Sequence, residues 1–122
     1  MKRTVNAIAA AVLALASVQT VHAHHSHAMF DHATTVTVSG VVREISYRNP
    51  HVFLWIDVED DNGATEIWSV EMSNIQNMIR RGIGGGTFTV GERVTVTMDP
   101  LNNGKPGGNY VSIVDSDGTE YD

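Results

Sequence analysis

The chain has 122 residues, no cysteine, and 14 acidic against 8 basic side chains, for a formal net charge of −6. Without cysteine there is no disulfide, thiolate metal site, thiol nucleophile or acylated lipoprotein anchor. The acidic balance argues against nucleic acid, whose binding is dominated by cationic contacts to phosphate, and the length fits one small domain.

The opening "MKRTVNAIAAAVLALASVQTVHA" sets two positive charges, Lys2 and Arg3, before an apolar run from Ala7 to Val18 and a small-residue close at Ala23. That layout predicts a signal peptide over 1–23. The apolar run falls short of the roughly 20 residues that span a bilayer. The expected product is therefore exported, periplasmic or secreted, without a membrane span. It begins at His24 and carries 6 basic against 14 acidic residues, a charge of −8.

Residues 24–33 are polar and His-rich without a sustained period, and read as an N-terminal arm before a barrel domain over 34–122. In "TTVTVSGVVREISYRN", Val36 and Val38 alternate in one phase and Val41 and Ile45 in the other, which predicts a long bent first strand with a bulge at Gly40. In "HVFLWIDVED", Val52, Leu54, Ile56 and Val58 should face the core, with Phe53 and Trp55 on the opposite side. "DNG" at 61–63 predicts a hairpin, followed by a third strand with Trp68, Val70 and Met72 on one face.

Ser73 is a candidate N-cap for a short helix through Arg81, with an apolar stripe of Ile75, Met78 and Ile79 and a C′ glycine at Gly82. "GIGGG" reads as a connector. A fourth strand carries Val94, Val96 and Met98, "LNNGKPGG" is a turn-rich loop, and "NYVSIVD" is the last strand. Three strands, a helix and two strands, with the first strand long and bent, is the element order of a five-stranded OB-like Greek-key barrel. The fold class is mainly β; a two-layer α+β fold or a small open sandwich stays open, because strand pairing cannot be read from one sequence.

Taken together, "AHHSHAMFD", "VSGVVREISYRNPHVFLWIDVED", "IWSVEM", "NMIRRG" and "VGERVTVTMDPLNNGKPGG" resemble a family of small exported bacterial proteins known only as a domain of unknown function. The likeness covers the whole chain after the signal. Its landmarks are an Ala-His-His-Ser start, an Asn-Pro-His turn and a Pro-Leu-x-x-Gly-x-Pro-Gly-Gly loop. They fall on Ala23 to Ser26, Asn49 to His51, and Pro100 to Gly108. At His27, family members often have an aromatic residue. The resemblance implies fold and export, and brings no activity with it.

Cleavage after Ala23 would leave an α-amine on His24, and an N-terminal histidine chelates copper through that amine and its ring Nδ1. His25 and His27, two apart on an extended arm, fall on one side. Imidazole suits copper, zinc and nickel. The competing reading is a solvated tail with adventitious affinity, since His-rich tracts signal metal only by composition. His51, in the loop between the first two strands, is the barrel residue that would join the arm histidines around one ion; otherwise it caps the Asn49-Pro50 turn.

Phe53 and Trp55 offer a stacking platform for a ligand, or pack beneath the arm. "GIGGG" lacks the strand-then-helix context of a phosphate loop, and Ser26 beside His25 lacks the support of a catalytic triad. The expected function is a non-catalytic binding module for a transition-metal ion, copper before zinc, through His24, His25, His27 and His51. The alternative is an accessory protein that binds an envelope protein or polymer through barrel loops and the Phe53/Trp55 face. A copper oxidase is the third option.

Overall fold

The structure is a computed structural model of the chain in which residues 27–122 are described. The predicted signal peptide, His24 and His25 lie outside the described residues. The elements are a 3-10 turn at His27–Met29, β1 (Val36–Ser46), β2 (Phe53–Glu59), β3 (Thr65–Glu71), α1 (Ile75–Arg80), β4 (Arg93–Pro100), β5 (Gly107–Val114) and β6 (Glu120–Tyr121). No helix among the described residues is long and apolar enough to cross a membrane.

Hydrogen bonding orders the strands β3-β2-β1-β4-β5-β6, and a parallel β3–β5 pairing closes the first five into a barrel. This is the expected mainly β, OB-like architecture with one short helix between β3 and β4. β6, a two-residue strand pairing with β5 at Ile113↔Tyr121 and Val114↔Glu120, lies beyond the five that the sequence suggested.

Strand alternation fills the barrel. Leu54, Ile56, Val70, Val96, Met98 and Ile113 are completely buried, joined by Val42, Val52, Val94, Met78 and Ile83. Each such side chain contributes about 1.5–3 kcal/mol on leaving water. Val58 and Trp68 pack partly buried against this core. Tyr47 reaches from the β1–β2 loop to donate a hydrogen bond from its hydroxyl to the Ile83 carbonyl, 3.0 Å, which fastens the glycine-rich connector to the barrel.

Three expectations need correction. The β1 slip lies at Arg43, between the pairs Val42↔Ile56 and Glu44↔Trp55, and Val41 points outward while Gly40 and Val42 are buried. A glycine shows no face, and adjacent Val41 and Val42 are both apolar, so the sequence left the position of the slip ambiguous. The helix N-cap is Asn74, whose side chain accepts from Asn77 N at 2.9 Å. Ser73 is still tied to the ladder, because its carbonyl accepts from Val52 N at 3.0 Å. Ile79 is 60% exposed, since six residues make less than two turns and Met78 alone is fully buried on α1. Gly82 follows the C-cap Arg81 with φ +80°, as the C′ position of such a helix requires.

Candidate functional site

One row of neighbours crosses the outer face of the barrel. Phe53 pairs with Glu71, Glu71 with Asn109, and Asn109 with Asp99. Their strand neighbours Leu54, Val70, Met72, Tyr110 and Met98 are buried, which turns the row outward. Glu71 and Asp99 sit two strand spacings apart, about 10 Å.

Each of these carboxylates holds a histidine by its Nδ1. His51 Nδ1 lies against Glu71 Oε1, with the carboxylate the more buried partner. His32 Nδ1 lies 2.6 Å from Asp99 Oδ2, again with the carboxylate more buried. A carboxylate on Nδ1 fixes ring orientation and tautomer and directs Nε2 outward; metal-binding histidines are held in this way. The sequence singled out His51 but assigned no role to His32, Glu71 or Asp99. The legible signal for Glu71 was its alternation with Val70 and Met72, opposite Phe53; nothing in the sequence paired His32 with Asp99, 67 residues away.

The loop that carries His51 is anchored from both sides. Asn49 Oδ1 accepts from Ile75 N at 3.0 Å, tying the loop to the start of α1. Val52 and Met72 exchange a backbone bond immediately after His51, with Met72 N donating to Val52 O at 2.8 Å.

The described part of the arm lies along the end of β4. Phe30 is buried and bridges Leu101; Asp31 N donates to the Pro100 carbonyl, and Asn102 N to that of Met29, both at 2.8 Å. Asn102 Nδ2 donates to the Ala28 carbonyl at 2.7 Å. Asp31 makes the intervening turn, accepting from Thr34 Oγ1 at 2.8 Å and Ala33 N at 2.9 Å. The Thr34 hydroxyl, followed by the Ala33 amide, holds the Asp31 carboxyl below its ordinary pKa.

Followed toward its start, the arm runs from Pro100 to Asn102, along the β4–β5 loop. It thereby leads away from the row that joins Asp99 to Glu71, where His51 is held, and His32 is the imidazole at its root. Among the described residues no three His, Asp or Glu side chains converge on a metal position. His27 starts the 3-10 turn.

Phe53 and Trp55 stack on each other with ring centroids 5.5 Å apart and planes at 17°. Both are half-buried on the outer face, and Trp55 is flanked across the sheet by Glu44 and Ser69. The described arm segment pairs with residues 100–102. A shallow groove lies lower on the same face, lined by Ser39, Val41, Asp57, Glu59, Thr65 and Arg93.

A family of unknown function (DUF6152) matches residues 11–110. No curated protein matches the sequence. Among solved structures, the chain is similar to the mitochondrial single-stranded DNA binding protein Rim1 of S. cerevisiae, with a TM-score of 0.53 and 14% identity, covering 68% of this chain and 93% of that one. It is also similar to the N-terminal domain of the PriB protein from Thermoanaerobacter tencongensis, with a TM-score of 0.46 and 18% identity, covering 68% and 96%. At such identity the likeness to Rim1 establishes the fold alone.

Proposed function

The chain belongs to the DUF6152 family of unknown function, and from that footing we propose that it is an exported module that binds a transition-metal ion, copper before zinc, with the histidines of its N-terminal arm. The observation that carries this reading is the pair of imidazoles gripped through Nδ1 by strand carboxylates on one outer face, His51 by Glu71 and His32 by Asp99. Neutral imidazole favours copper and zinc over harder ions. In this reading His24 chelates through its amine and ring after cleavage behind Ala23, and His25 and His27 add imidazoles from the arm. The described arm leads toward the β4–β5 loop, so this reading requires the segment before it to fold back for His51 to supply Nε2 from the barrel; a ligand held rigid by a strand carboxylate is what selectivity needs beyond a free chelating tail.

The test compares mature protein starting at His24 with a version bearing one extra N-terminal residue, both titrated with Cu(II) and followed by visible spectra and melting temperature. Tight 1:1 binding that the extra residue weakens by orders of magnitude supports the chelate; equal, weak binding by both overturns it. His51→Ala and His32→Ala then report which of the two carboxylate-held imidazoles takes part. If neither changes the affinity, the arm acts alone.

A further inference from the structure

The β2–β3 hairpin, Phe53–Glu71, contains six carboxylates, Asp57, Glu59, Asp60, Asp61, Glu66 and Glu71, and no lysine or arginine. Once the predicted signal is removed, the remainder has eight acidic and six basic residues, so the hairpin carries six of the eight net negative charges. Two of the six have basic partners, Asp57 with Arg43 at 3.1 Å and Glu71 with the His51 imidazole.

The same hairpin has an open edge. β5 closes the barrel against β3 only from Ser69 to Glu71, with Gly107 to Asn109 as partners. Ser69 N also turns to that side, toward the Pro106 carbonyl. By the two-residue period of a strand, the amides and carbonyls of Ile67 and Thr65 face the same way. There, among the described residues, Thr65 to Trp68 pair with β2 alone. Thr65, Glu66 and Ile67 are exposed, Ile67 at 45%.

We propose that this edge docks an extended basic peptide segment, which adds as a further strand beside Thr65–Trp68 and sets its Lys or Arg side chains among the hairpin carboxylates. Main-chain pairing at a free edge supplies the hydrogen bonds, and alternate side chains supply specificity. On the outer face those side chains look across Ile67 and Thr65 to their β2 partners, Asp57 and Glu59; Glu66 borders the same edge. Two further occupants fit less well. A second copy pairing edge to edge would bring two hairpins of charge −6 together, so the charge also guards the edge against self-association. A polyamine satisfies the carboxylates but leaves the Ile67 and Thr65 backbone groups unused.

The experiment uses the full chain after its signal and four probes: the peptide Ac-Arg-Val-Arg-Val-Arg-Val-NH2, its Glu-Val counterpart, an Arg-Pro counterpart that cannot donate alternate backbone bonds, and spermine. Affinity is read by fluorescence titration, and amide exchange is followed residue by residue. Support is saturable binding of the Arg-Val peptide at least tenfold tighter than any other probe, slowed exchange at Thr65 and Ile67, and at least fivefold weaker binding by the Glu59→Gln/Glu66→Gln variant. Both substituted side chains are exposed, so that variant keeps the barrel. Spermine or the Arg-Pro peptide binding equally well, unchanged exchange at Thr65 and Ile67, or no binding overturns the proposal.

Discussion

Gly40 on β1 passes so close to Asp57 on β2 that a β-carbon there would stand 2.5 Å from the Asp57 carbonyl oxygen and 3.0 Å from Val58 Cγ2. Here β1 turns from one partner to the other: Gly40 pairs with Val94 on β4, while its neighbour Val41 pairs with both Arg93 and Asp57. The neighbour that would have to yield is backbone held in a ladder. Gly40→Ala is therefore expected to cost about 2–3 kcal/mol, the upper part of the range for overpacking. Gly86→Ala, where an added β-carbon meets nothing within 4 Å, should stay within about 0.5 kcal/mol of the parent. Urea denaturation of both variants checks the contrast, and equal midpoints would refute it.

The same glycine marks the limit of what the sequence revealed. The alternation of Val52, Leu54 and Ile56 against Phe53 and Trp55 made β2 and its buried face plain, and Val94, Val96 and Met98 did the same for β4. Where β1 carries Gly40 and then two valines, the alternation gives no unique phase, and the bulge emerged only with the Glu44↔Trp55 register. Glu120–Tyr121 is too short to show any period. In the candidate site, His51 was visible as a lone histidine after a turn. Its grip on Glu71, and that of His32 on Asp99, depend on pairings across β3, β5 and β4 that local pattern does not encode.

Burial pushes the Tyr110 hydroxyl up from its ordinary pKa, with the nearby Arg81 opposing. The hydroxyl donates to the Tyr121 carbonyl at 2.8 Å, a bond that requires the neutral phenol. A raised folded pKa means that the contribution is fully present below the unfolded value, about 10. It is lost as pH climbs from there through the folded value. Titration of Tyr110 should leave stability flat up to about pH 10 and lower it above that. Tyr110→Phe should be less stable at neutral pH by about 1 kcal/mol, the net worth of one hydrogen bond, and less sensitive to alkali. Tyr121 is raised as well, first by burial and then by Asp115, so some alkaline slope should remain. Melting temperature measured from pH 8 to 11 decides the matter; an unchanged alkaline slope in Tyr110→Phe would contradict it.

Phe30 is the plug that fixes the arm to the barrel. It is 8% exposed, and the Asp31, Met29 and Ala28 bonds to residues 100–102 lie on either side of it. Phe30→Ala should free residues 28–31, with faster amide exchange at Asp31 and Asn102 and unchanged protection in β2 and β3. The cost should fall near 2–3 kcal/mol, below the full core value, because Phe30 is buried outside the main core cluster. Unchanged exchange at Asp31 and Asn102 would show that the hydrogen bonds alone hold the arm.

The two carboxylate–histidine pairs make separable predictions about metal. Removing an outer-sphere carboxylate commonly weakens metal binding by about 10–100-fold. If His51 is the barrel ligand, Glu71→Ala should show that loss, and adding it to His51→Ala should cost nothing more, because the two act as one unit. Asp99→Ala should then leave affinity within about twofold, since an uninvolved surface pair lies outside the additive pathway. The arm leads toward the β4–β5 loop, with His32 at its root, so the reverse outcome has its own meaning. A loss confined to Asp99→Ala and His32→Ala would move the barrel ligand from the β1–β2 loop to the base of the arm. Cu(II) affinities of the four single variants and two within-pair doubles separate the cases. Equal affinity throughout would leave both carboxylates with purely structural roles.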